Sequence, residues 1–208
     1  MKRRPFNLGC AAFLLCALFS GCVSLERSYP DKHYFVLATS HNEKSSDQTE
    51  NGVLEVSSIG ISPRYESQSF VYRISDAGYE SDFYNQFLIP PAALITEEVR
   101  KALVQSRVFE HVINSSSQLP PTYTLEGTIN TLYGDFRSNH PAAAVLEIEF
   151  FLSKPSPAGT DILMDKRYSK SVPVSGRSPE ALVKGWDEAL GTILAGLITD
   201  LKSVNKQR

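Results

Sequence analysis

The sequence predicts an α+β domain in which one mixed, largely antiparallel sheet carries two main amphipathic helices on one face. Two segments, residues 123–131 and 146–152, alternate apolar with polar residues, which is typical of strands with one buried and one wet face. Two others, residues 92–107 and the stretch after Ser178, repeat apolar residues at intervals of three and four, which indicates amphipathic helices.

Short extended segments make up the first half of the predicted domain. They are rich in β-branched and aromatic residues, and we expect strands at residues 33–37, 53–62, 69–74 and 79–87. Within the third strand we place Phe70, Tyr72 and Ile74 on one side. A polar loop over residues 40–52 separates the first two strands. Because the last two are joined by a short turn, they are expected to pair as a hairpin.

Pro90 and Pro91 mark the change from strand to helix. Proline is compatible with a first helical turn, because the N–H that it lacks would be unpaired there. The apolar face of this helix is expected to contain Leu94, Ile95, Val99, Ala102, Leu103 and Val104. Its polar face is expected to contain Glu97, Glu98, Arg100, Lys101 and Gln105.

The second half of the domain reads as a meander followed by a closing helix. Strands are expected at residues 109–113, 123–131, 146–152 and 161–174. Ser178 has the position of an N-cap, with Pro179 and Glu180 in the first turn after it. The buried stripe of this helix is expected to contain Leu182, Trp186, Ala189, Leu190, Ile193, Leu197 and Leu201.

The amino terminus has the form of a bacterial secretory signal peptide. Residues 2–4 are basic, an apolar run follows, and small residues precede Cys22. A cysteine directly after Ser20 and Gly21 resembles the lipobox of bacterial lipoproteins. The resemblance implies cleavage after Gly21 and attachment of lipid to the Cys22 thiol.

The predicted organisation is a lipoprotein signal peptide at residues 1–21, a lipidated tether at 22–32 and a periplasmic α+β domain at 33–208. Two alternatives remain open from the residues alone. The apolar stretch 8–23 spans about 16 residues. A transmembrane helix needs roughly 20, so a permanent spanning anchor is the weaker interpretation. The other alternative is a soluble secretory signal, with an incidental thiol at Cys22.

The net charge of the chain disfavours binding to nucleic acids and to anionic membrane surfaces. The signal removes three of the 21 basic residues and none of the 23 acidic ones, so the mature chain has a formal charge of −5. Such a chain lacks the basic surface that binds nucleic acids or anionic membranes. Membrane attachment then depends on acyl chains. A single acyl chain binds a membrane only marginally, whereas a triacylated cysteine carrying palmitate-type chains has more than one chain and so gives a stable anchor. Val23 follows the cysteine, and the absence of Asp there favours the outer membrane, by analogy with the sorting rule of enteric-type bacteria.

Residues that could carry chemistry are scattered along the chain. No two of the four histidines have metal-binding spacing: His33, His41, His111 and His140. Asp135, Glu147 and Glu149 could form an acid–base set, but the two glutamates alternate with apolar residues as on a solvated strand face. The sequence shows no Gly-x-Ser-x-Gly elbow and no phosphate loop. We therefore expect no enzyme activity, no metal site and no cofactor.

A cluster of aromatic residues and prolines stands out: Tyr79, Phe83, Tyr84, Phe87, Pro90 and Pro91. Aromatic side chains contribute large contact areas and are enriched at interfaces. The alternative is that they pack under the first helix as core, and the sequence leaves both interpretations open. The candidate partner-binding residues are Tyr84, Phe87, Pro90 and Pro91.

The same segment carries a resemblance to a known family. Residues 84–91, with the helix that follows and residues 103–112, resemble the pattern of the ABC-type transport auxiliary lipoproteins, the PqiC-type component family. Phe87 stands where the family commonly has Trp, and Arg107 where it commonly has Gly. Two strand motifs of the family are also matched, loosely by residues 34–37 and closely by residues 123–127.

The resemblance implies a function without catalysis. Members of the family are periplasm-facing lipoproteins that work with Mce-type (MlaD-like) proteins and an ABC transporter in moving lipids or other hydrophobic molecules between membranes. On this basis the chain is an outer-membrane-anchored accessory that docks partner proteins, while ATP hydrolysis belongs to another subunit. A docking collar would need several copies of the chain, and the sequence leaves self-association open.

Two other functions remain open. A structural or assembly lipoprotein of another envelope complex, for secretion or polysaccharide export, would have the same fold and anchor and differ only in its partner. An envelope hydrolase would need a Ser/His/acid triad that converges in space, and the sequence does not reveal one.

Overall fold

The computed structural model describes residues 31–39 and 50–206, and within them the chain forms one mixed sheet of nine strands and two α-helices. The strands are β1 (His33–Phe35), β2 (Glu50–Val56), β3 (Gly60–Ile61), β4 (Ser69–Arg73), β5 (Tyr79–Phe87), β6 (Phe109–Asn114), β7 (Tyr123–Asp135), β8 (Ala143–Ser156) and β9 (Gly159–Pro173). The helices are α1 (Pro91–Ser106) and α2 (Pro179–Lys206). The predicted α+β class with two helices is confirmed.

Strand β7 lies in the middle of the sheet. Strands β8 and β9 extend the sheet on one side as antiparallel neighbours. On the other side β2, β3 and β4 follow one another along β7, each parallel to it. Strand β6 lies beside β2, whereas β5 lies beside β4 and β1 lies beside β5. The edges formed by β1 and β9 are therefore on opposite sides of the sheet.

The predicted alternation in the central strands is confirmed up to Ile129, and β7 pairs with β8 in antiparallel register. A bulge between Ile129 and Thr131 then exchanges the two faces of β7. Leu132 consequently points into the core. Thr131, predicted on the apolar face, instead pairs with Glu147 on the wetter face.

The first half of the domain differs from the prediction in three places. The segment predicted as one strand at 53–62 is divided into β2 and β3, and β2 begins at Glu50, inside the predicted loop. Both pieces pair in parallel with β7, and alternation within one segment does not reveal the direction of its neighbour. Ile74 lies past the end of β4 and is exposed. The predicted hairpin of β4 and β5 is confirmed.

Both helices begin where the sequence predicts. The Pro90 carbonyl accepts hydrogen bonds from the N–H groups of Ala93 at 3.0 Å and Leu94 at 3.2 Å. The Ser178 hydroxyl accepts one from the Ala181 N–H at 3.2 Å and so caps α2. Helix α1 ends at Ser106, and the φ of 52° at the next residue, Arg107, lies in the left-handed region that usually holds glycine.

The faces of α1 differ from the prediction at two positions. Val104, predicted on the apolar face, is exposed. Glu98, predicted on the polar face, is buried. Its carboxylate accepts hydrogen bonds from the N–H and the hydroxyl of Thr39 and from Lys101, at 2.7 to 3.0 Å. These partners offset the cost of burying a charged group, which helical spacing alone does not show.

The apolar stripe of α2 is buried at every predicted position and packs on β8 and β9. Trp186 contacts the rings of Phe70 and Phe87, at centroid distances of 5.0 Å and 5.5 Å. Gly185 allows the helix to approach the sheet closely, because a Cβ at this position would lie 2.7 Å from the Ala144 side chain. Helix α1 packs beside α2, against β2 and β6.

The predicted signal peptide, Cys22 and the first part of the tether lie outside the described residues, as do residues 40–49 of the predicted polar loop. The bounds given for them remain predictions. Within the described part of the chain, neither helix is long and apolar enough to span a bilayer.

Candidate functional site

Strand β5 bulges away from β4 over residues 82–85. Two steps along β4, from Ser69 to Val71, correspond to five steps along β5, from Gln86 to Ser81. Three extra residues of β5 therefore leave the regular ladder. Bulges of this kind re-aim side chains at the edge of a sheet, and here they lie in the segment that the sequence singled out.

Asp82 holds the bulge in shape through four hydrogen bonds. Its Oδ1 accepts from the backbone N–H groups of Tyr84 at 2.8 Å and Asn85 at 3.0 Å. Its Oδ2 accepts from the Tyr72 hydroxyl at 2.6 Å and from the Asn85 side-chain amide at 2.8 Å. Burial raises the pKa of Asp82, but these hydrogen bonds outweigh burial and hold the pKa below its usual value. The carboxylate stays ionised and fixes the local backbone.

The bulge presents two aromatic rings to solvent. Phe83 is 63% exposed and Tyr84 is 38% exposed. Their rings meet edge to face, with centroids 5.3 Å apart. The Lys32 ammonium lies 4.2 Å above the Phe83 ring, in a cation–π contact. The residue just before β1 therefore touches the bulge directly.

Phe87, at the end of the same strand, is buried on the opposite side. Only 2% of it is exposed, and its ring lies 4.7 Å from that of Phe70 and 5.5 Å from that of Trp186. In this position Phe87 supports the surface from beneath. It cannot touch another protein while the domain remains folded.

The two prolines divide between surface and core in the same way. Pro90 is exposed, and its extended backbone (ψ 133°) leads into the helix. Pro91 is buried as the first residue of α1. Since its ring fixes φ and its missing N–H has no partner to lose, Pro91 sets the direction of the corner between β5 and α1.

An open groove of about 470 Å³ runs beside Pro90, between the start of α1 and two loops. We call it the α1 groove. Its apolar lining consists of Val56, Ile59, Pro90, Ala92 and Ala93, with Arg100 among its polar residues. The Ile59 N–H donates a 3.1 Å hydrogen bond to the Thr96 hydroxyl, which ties one loop to the helix.

A second apolar surface runs along the edge formed by β1 and β5. It consists of four side chains that are 47–63% exposed, which we call the edge patch: Tyr34, Val36, Phe83 and Leu88. Tyr34 and Val36 alternate with Phe35 and Leu37, which pack into the core. The Leu88 N–H donates to the Phe35 carbonyl at 2.8 Å, so β5 and β1 stay joined beside the patch.

Two carboxylates that the sequence did not single out hold the segment after β1. Asp187 on α2 accepts a 2.9 Å hydrogen bond from the Ala38 N–H, and Glu98 on α1 binds Thr39. Burial raises the pKa of Asp187 to about 6, the Ala38 N–H lowers it in part, and the negative charge of Glu98 raises it further. Asp187 and Ala38 are 149 positions apart in the chain, so no local pattern could reveal this contact.

The acidic residues considered for acid–base chemistry are paired with arginine. Arg167 on β9 lies 2.9 Å from Glu149 and 3.8 Å from Glu147. Arg137 lies 2.6 Å from Asp135. Among residues 31–39 and 50–206, no group of three histidines, cysteines or acids could hold a metal ion.

The structure does not bring the four candidate partner-binding residues to one surface. Tyr84 and Pro90 are exposed, at the bulge and at the start of α1, whereas Phe87 and Pro91 are buried. The segment is therefore a rigid corner with two exposed contact points. Sequence analysis missed the edge-patch residues Tyr34, Val36 and Leu88, because their exposure depends on the pairing of β1 with β5.

Comparison with solved structures shows that the fold is a known one. Protein XCC0632 of Xanthomonas campestris, a DUF330 protein, has a TM-score of 0.73 at 14% identity, covering 84% of this chain and 98% of its own. An uncharacterized protein has a TM-score of 0.63 at 16% identity, covering 82% and 99%. The hypothetical protein CT253 of Chlamydia trachomatis has a TM-score of 0.50 at 9% identity, covering 74% and 99%. At these identities the likeness shows the fold alone.

The comparison with sequence families gives a more specific result than the comparison with solved structures. No curated protein matches the sequence. The family model of the ABC-type transport auxiliary lipoprotein component matches residues 35–197, which include the bulge, both prolines and the α1 groove. The resemblance seen in the motifs is thereby confirmed: the chain belongs to the family of ABC-type transport auxiliary lipoproteins.

Proposed function

We propose that this protein is an outer-membrane-anchored accessory lipoprotein that faces the periplasm and docks partner proteins of an Mce-type ABC system for lipids or other hydrophobic molecules. Membership of the family supports the role in ABC-type transport. The lipobox at Cys22 and the valine after it support the outer membrane. The Mce-type partner rests on the resemblance of the motif segment.

The anchor is the acylated thiol of Cys22. More than one acyl chain gives a lasting attachment, since each buried methylene contributes about 0.8 kcal/mol. Lys32 is the tenth residue after Cys22, and ten extended residues reach at most about 33–36 Å. The domain is held within this distance of the membrane surface, where it acts by contact.

The observation that carries the docking proposal is the exposed Pro90 at the mouth of an apolar groove on a rigid corner. Phe87 and Pro91 fix the corner from the core side, so Pro90 and the α1 groove keep one shape before binding. Preorganisation of this kind lowers the entropy lost on association. Tyr84 supplies a second exposed contact in the same segment. We propose that Tyr84 and Pro90 touch the partner, and that Phe87 and Pro91 position them.

A protein segment suits the α1 groove better than a small molecule does. Small-molecule sites enclose most of the ligand surface and present a few convergent polar groups. The α1 groove is open to solvent, and its apolar lining of Val56, Ile59, Pro90, Ala92 and Ala93 lies beside polar residues that include Glu97 and Arg100. An apolar segment of a partner can lie along this lining, with Arg100 available to an acidic group of the partner.

The test is cross-linking in intact cells that express the full-length chain, followed by purification and identification of Mce-type and ABC subunits. Ala93 is exposed in the α1 groove, and Ala93→Arg fills it. Gln105→Arg adds the same charge at an exposed position of the same helix outside the groove. We expect Ala93→Arg to lower recovery of the Mce-type protein about tenfold, as loss of a central interface contact does.

Gln105→Arg should leave recovery of that protein unchanged. Equal recovery with both variants would show that the α1 groove does not bind the Mce-type protein. Repeated failure to recover an Mce-type protein with the native chain would contradict the proposal that such a protein is the partner. Recovery of a secretion or polysaccharide-export subunit in its place would favour the structural or assembly lipoprotein.

A further inference from the structure

The chain enters the described domain at the edge patch. Lys32 precedes β1 and lies on the Phe83 ring, with its ammonium 4.2 Å from the ring centroid. His33 pairs with Asn85 at the end of the bulge. The proposed tether therefore joins the domain beside Phe83, at the β1 edge of the sheet and not at the β9 edge.

The side chains of the edge patch have the composition of a membrane-interface surface. Phe83, Leu88, Tyr34 and Val36 combine aromatic rings with aliphatic groups, and they are 63%, 55%, 54% and 47% exposed. Aromatic rings favour the level of the lipid headgroups, and aliphatic side chains favour the acyl boundary below it. Exposed apolar groups that lie together on a monomer mark a contact surface.

One ionised carboxylate, that of Asp82, lies in the bulge beside Phe83, and its two oxygens accept four hydrogen bonds from within the domain. Gln86 and Ser69 lie next to the patch across the ladder, joined by a 3.4 Å hydrogen bond, and both are uncharged. Lys32 adds one positive charge at the Phe83 end. With a mature formal charge of −5, the domain as a whole is not drawn to anionic lipids, so contact at this edge depends on apolar side chains that a tether brings close.

We propose that the edge patch rests on the lipid bilayer, with the Phe83 and Tyr34 rings in the headgroup region. The inference depends on the lipid anchor of the proposed function, because the anchor supplies the high local concentration that a small patch needs. The contact orients the domain with its β1 edge toward the membrane and its β9 edge away from it. None of the residues that line the α1 groove belongs to the edge patch.

The test uses the chain's single tryptophan as an internal baseline. Trp186 is fully buried, so lipids that quench indole fluorescence on contact leave it unaffected. Phe83→Trp adds a reporter in the edge patch. Ile162→Trp adds a matched reporter on β9, where the native isoleucine is 67% exposed at the opposite edge of the sheet. Each full-length acylated variant is incorporated into vesicles of phosphatidylethanolamine and phosphatidylglycerol, with or without brominated phosphatidylcholine.

We expect brominated lipid to remove about half of the emission that Phe83→Trp adds, as for a ring at the depth of the headgroups, and to leave the Ile162→Trp emission unchanged. Flotation of the vesicles measures the anchor separately. A Phe83→Trp chain that floats with the vesicles but is not quenched overturns the inference and leaves the anchor standing. A partner protein or a second copy covering the patch would give this result. A chain that does not float overturns both.

Discussion

The Tyr72 hydroxyl on β4 donates a 2.6 Å hydrogen bond to the Asp82 carboxylate and thereby ties β4 to the bulge of β5. The ionised Asp82 also accepts three other hydrogen bonds, all from the two residues Tyr84 and Asn85. The Asp82 carboxylate and its hydrogen-bond donors therefore fix the backbone conformation that exposes the Phe83 ring. This connects the local sequence of β5 to the surface proposed to meet the membrane.

Loss of the Tyr72 hydroxyl should destabilise the domain. Hydrogen bonds to charged groups contribute roughly 1.5–3 kcal/mol, and less where water reaches the pair, so we expect Tyr72→Phe to cost about 1–2 kcal/mol in the free energy of unfolding by urea. Tyr34→Phe, at an exposed ring, should stay within about 0.5 kcal/mol of the native chain. Identical midpoints for the native chain and Tyr72→Phe would show that the bulge does not depend on this bond.

Within the segment 84–91, substitutions of buried residues should affect stability, and substitutions of exposed residues should affect partner binding. Phe87→Ala removes a buried ring that touches Phe70 and Trp186, and should cost about 3–5 kcal/mol. Tyr84→Ala, at a partly exposed ring, should cost about 1 kcal/mol or less and act instead on recovery of the partner. Urea unfolding measures the first effect and cross-linking the second. A stable Phe87→Ala chain, or a Tyr84→Ala chain that unfolds, would contradict this division.

Much of the fold follows from patterns within single segments. The structure agrees with the alternation in β8, with the alternation in β7 up to Ile129, with the proline at the start of each helix and with the apolar stripe of α2. Each of these patterns depends on neighbours close in sequence. What could not be predicted depends on distant partners. Glu98 is buried because Thr39 binds it, and the direction of β2 is set by β7 and β6. For the site, the sequence indicated the segment 84–91 but not which of its residues are exposed.

The end of α1 carries a backbone conformation that its residue does not favour. Arg107 has a φ of 52°, and a side chain in this left-handed region costs roughly 1–2 kcal/mol. Glycine has no such cost but loses more freedom on folding, so we expect Arg107→Gly to raise the free energy of unfolding by about 0.5–1 kcal/mol. Arg107→Ala keeps the Cβ and should bring no gain. Equal effects of the two substitutions would attribute the change to loss of the arginine side chain.

Burial of the Asp187 carboxyl, together with the nearby charge of Glu98, should make the free energy of unfolding depend on pH. The folded pKa of Asp187, about 6, lies above the ordinary value of 3.8. The stability that protonated Asp187 contributes is therefore complete below pH 3.8 and is lost as pH rises through about 6. Between pH 5 and pH 7.5, deprotonation of Asp187 should lower the free energy of unfolding of the native chain by about 1 kcal/mol.

Asp187→Asn isolates that contribution. Asparagine keeps an oxygen for the Ala38 N–H but has no charge to bury. We expect the difference in unfolding free energy between Asp187→Asn and the native chain to move in favour of the variant by about 1 kcal/mol between pH 5 and pH 7.5. A difference that does not change with pH would show that Asp187 titrates at its ordinary value.

The most direct test of the account is intact-mass spectrometry of the amino terminus of the protein purified from bacterial membranes. The central claim is that a lipid anchor holds a docking domain at the membrane. We expect the mature chain to begin at Cys22 and to carry the mass of a diacylglyceryl group and an amide-linked acyl chain. A chain that begins elsewhere, or a Cys22 with an unmodified thiol, would contradict the claim.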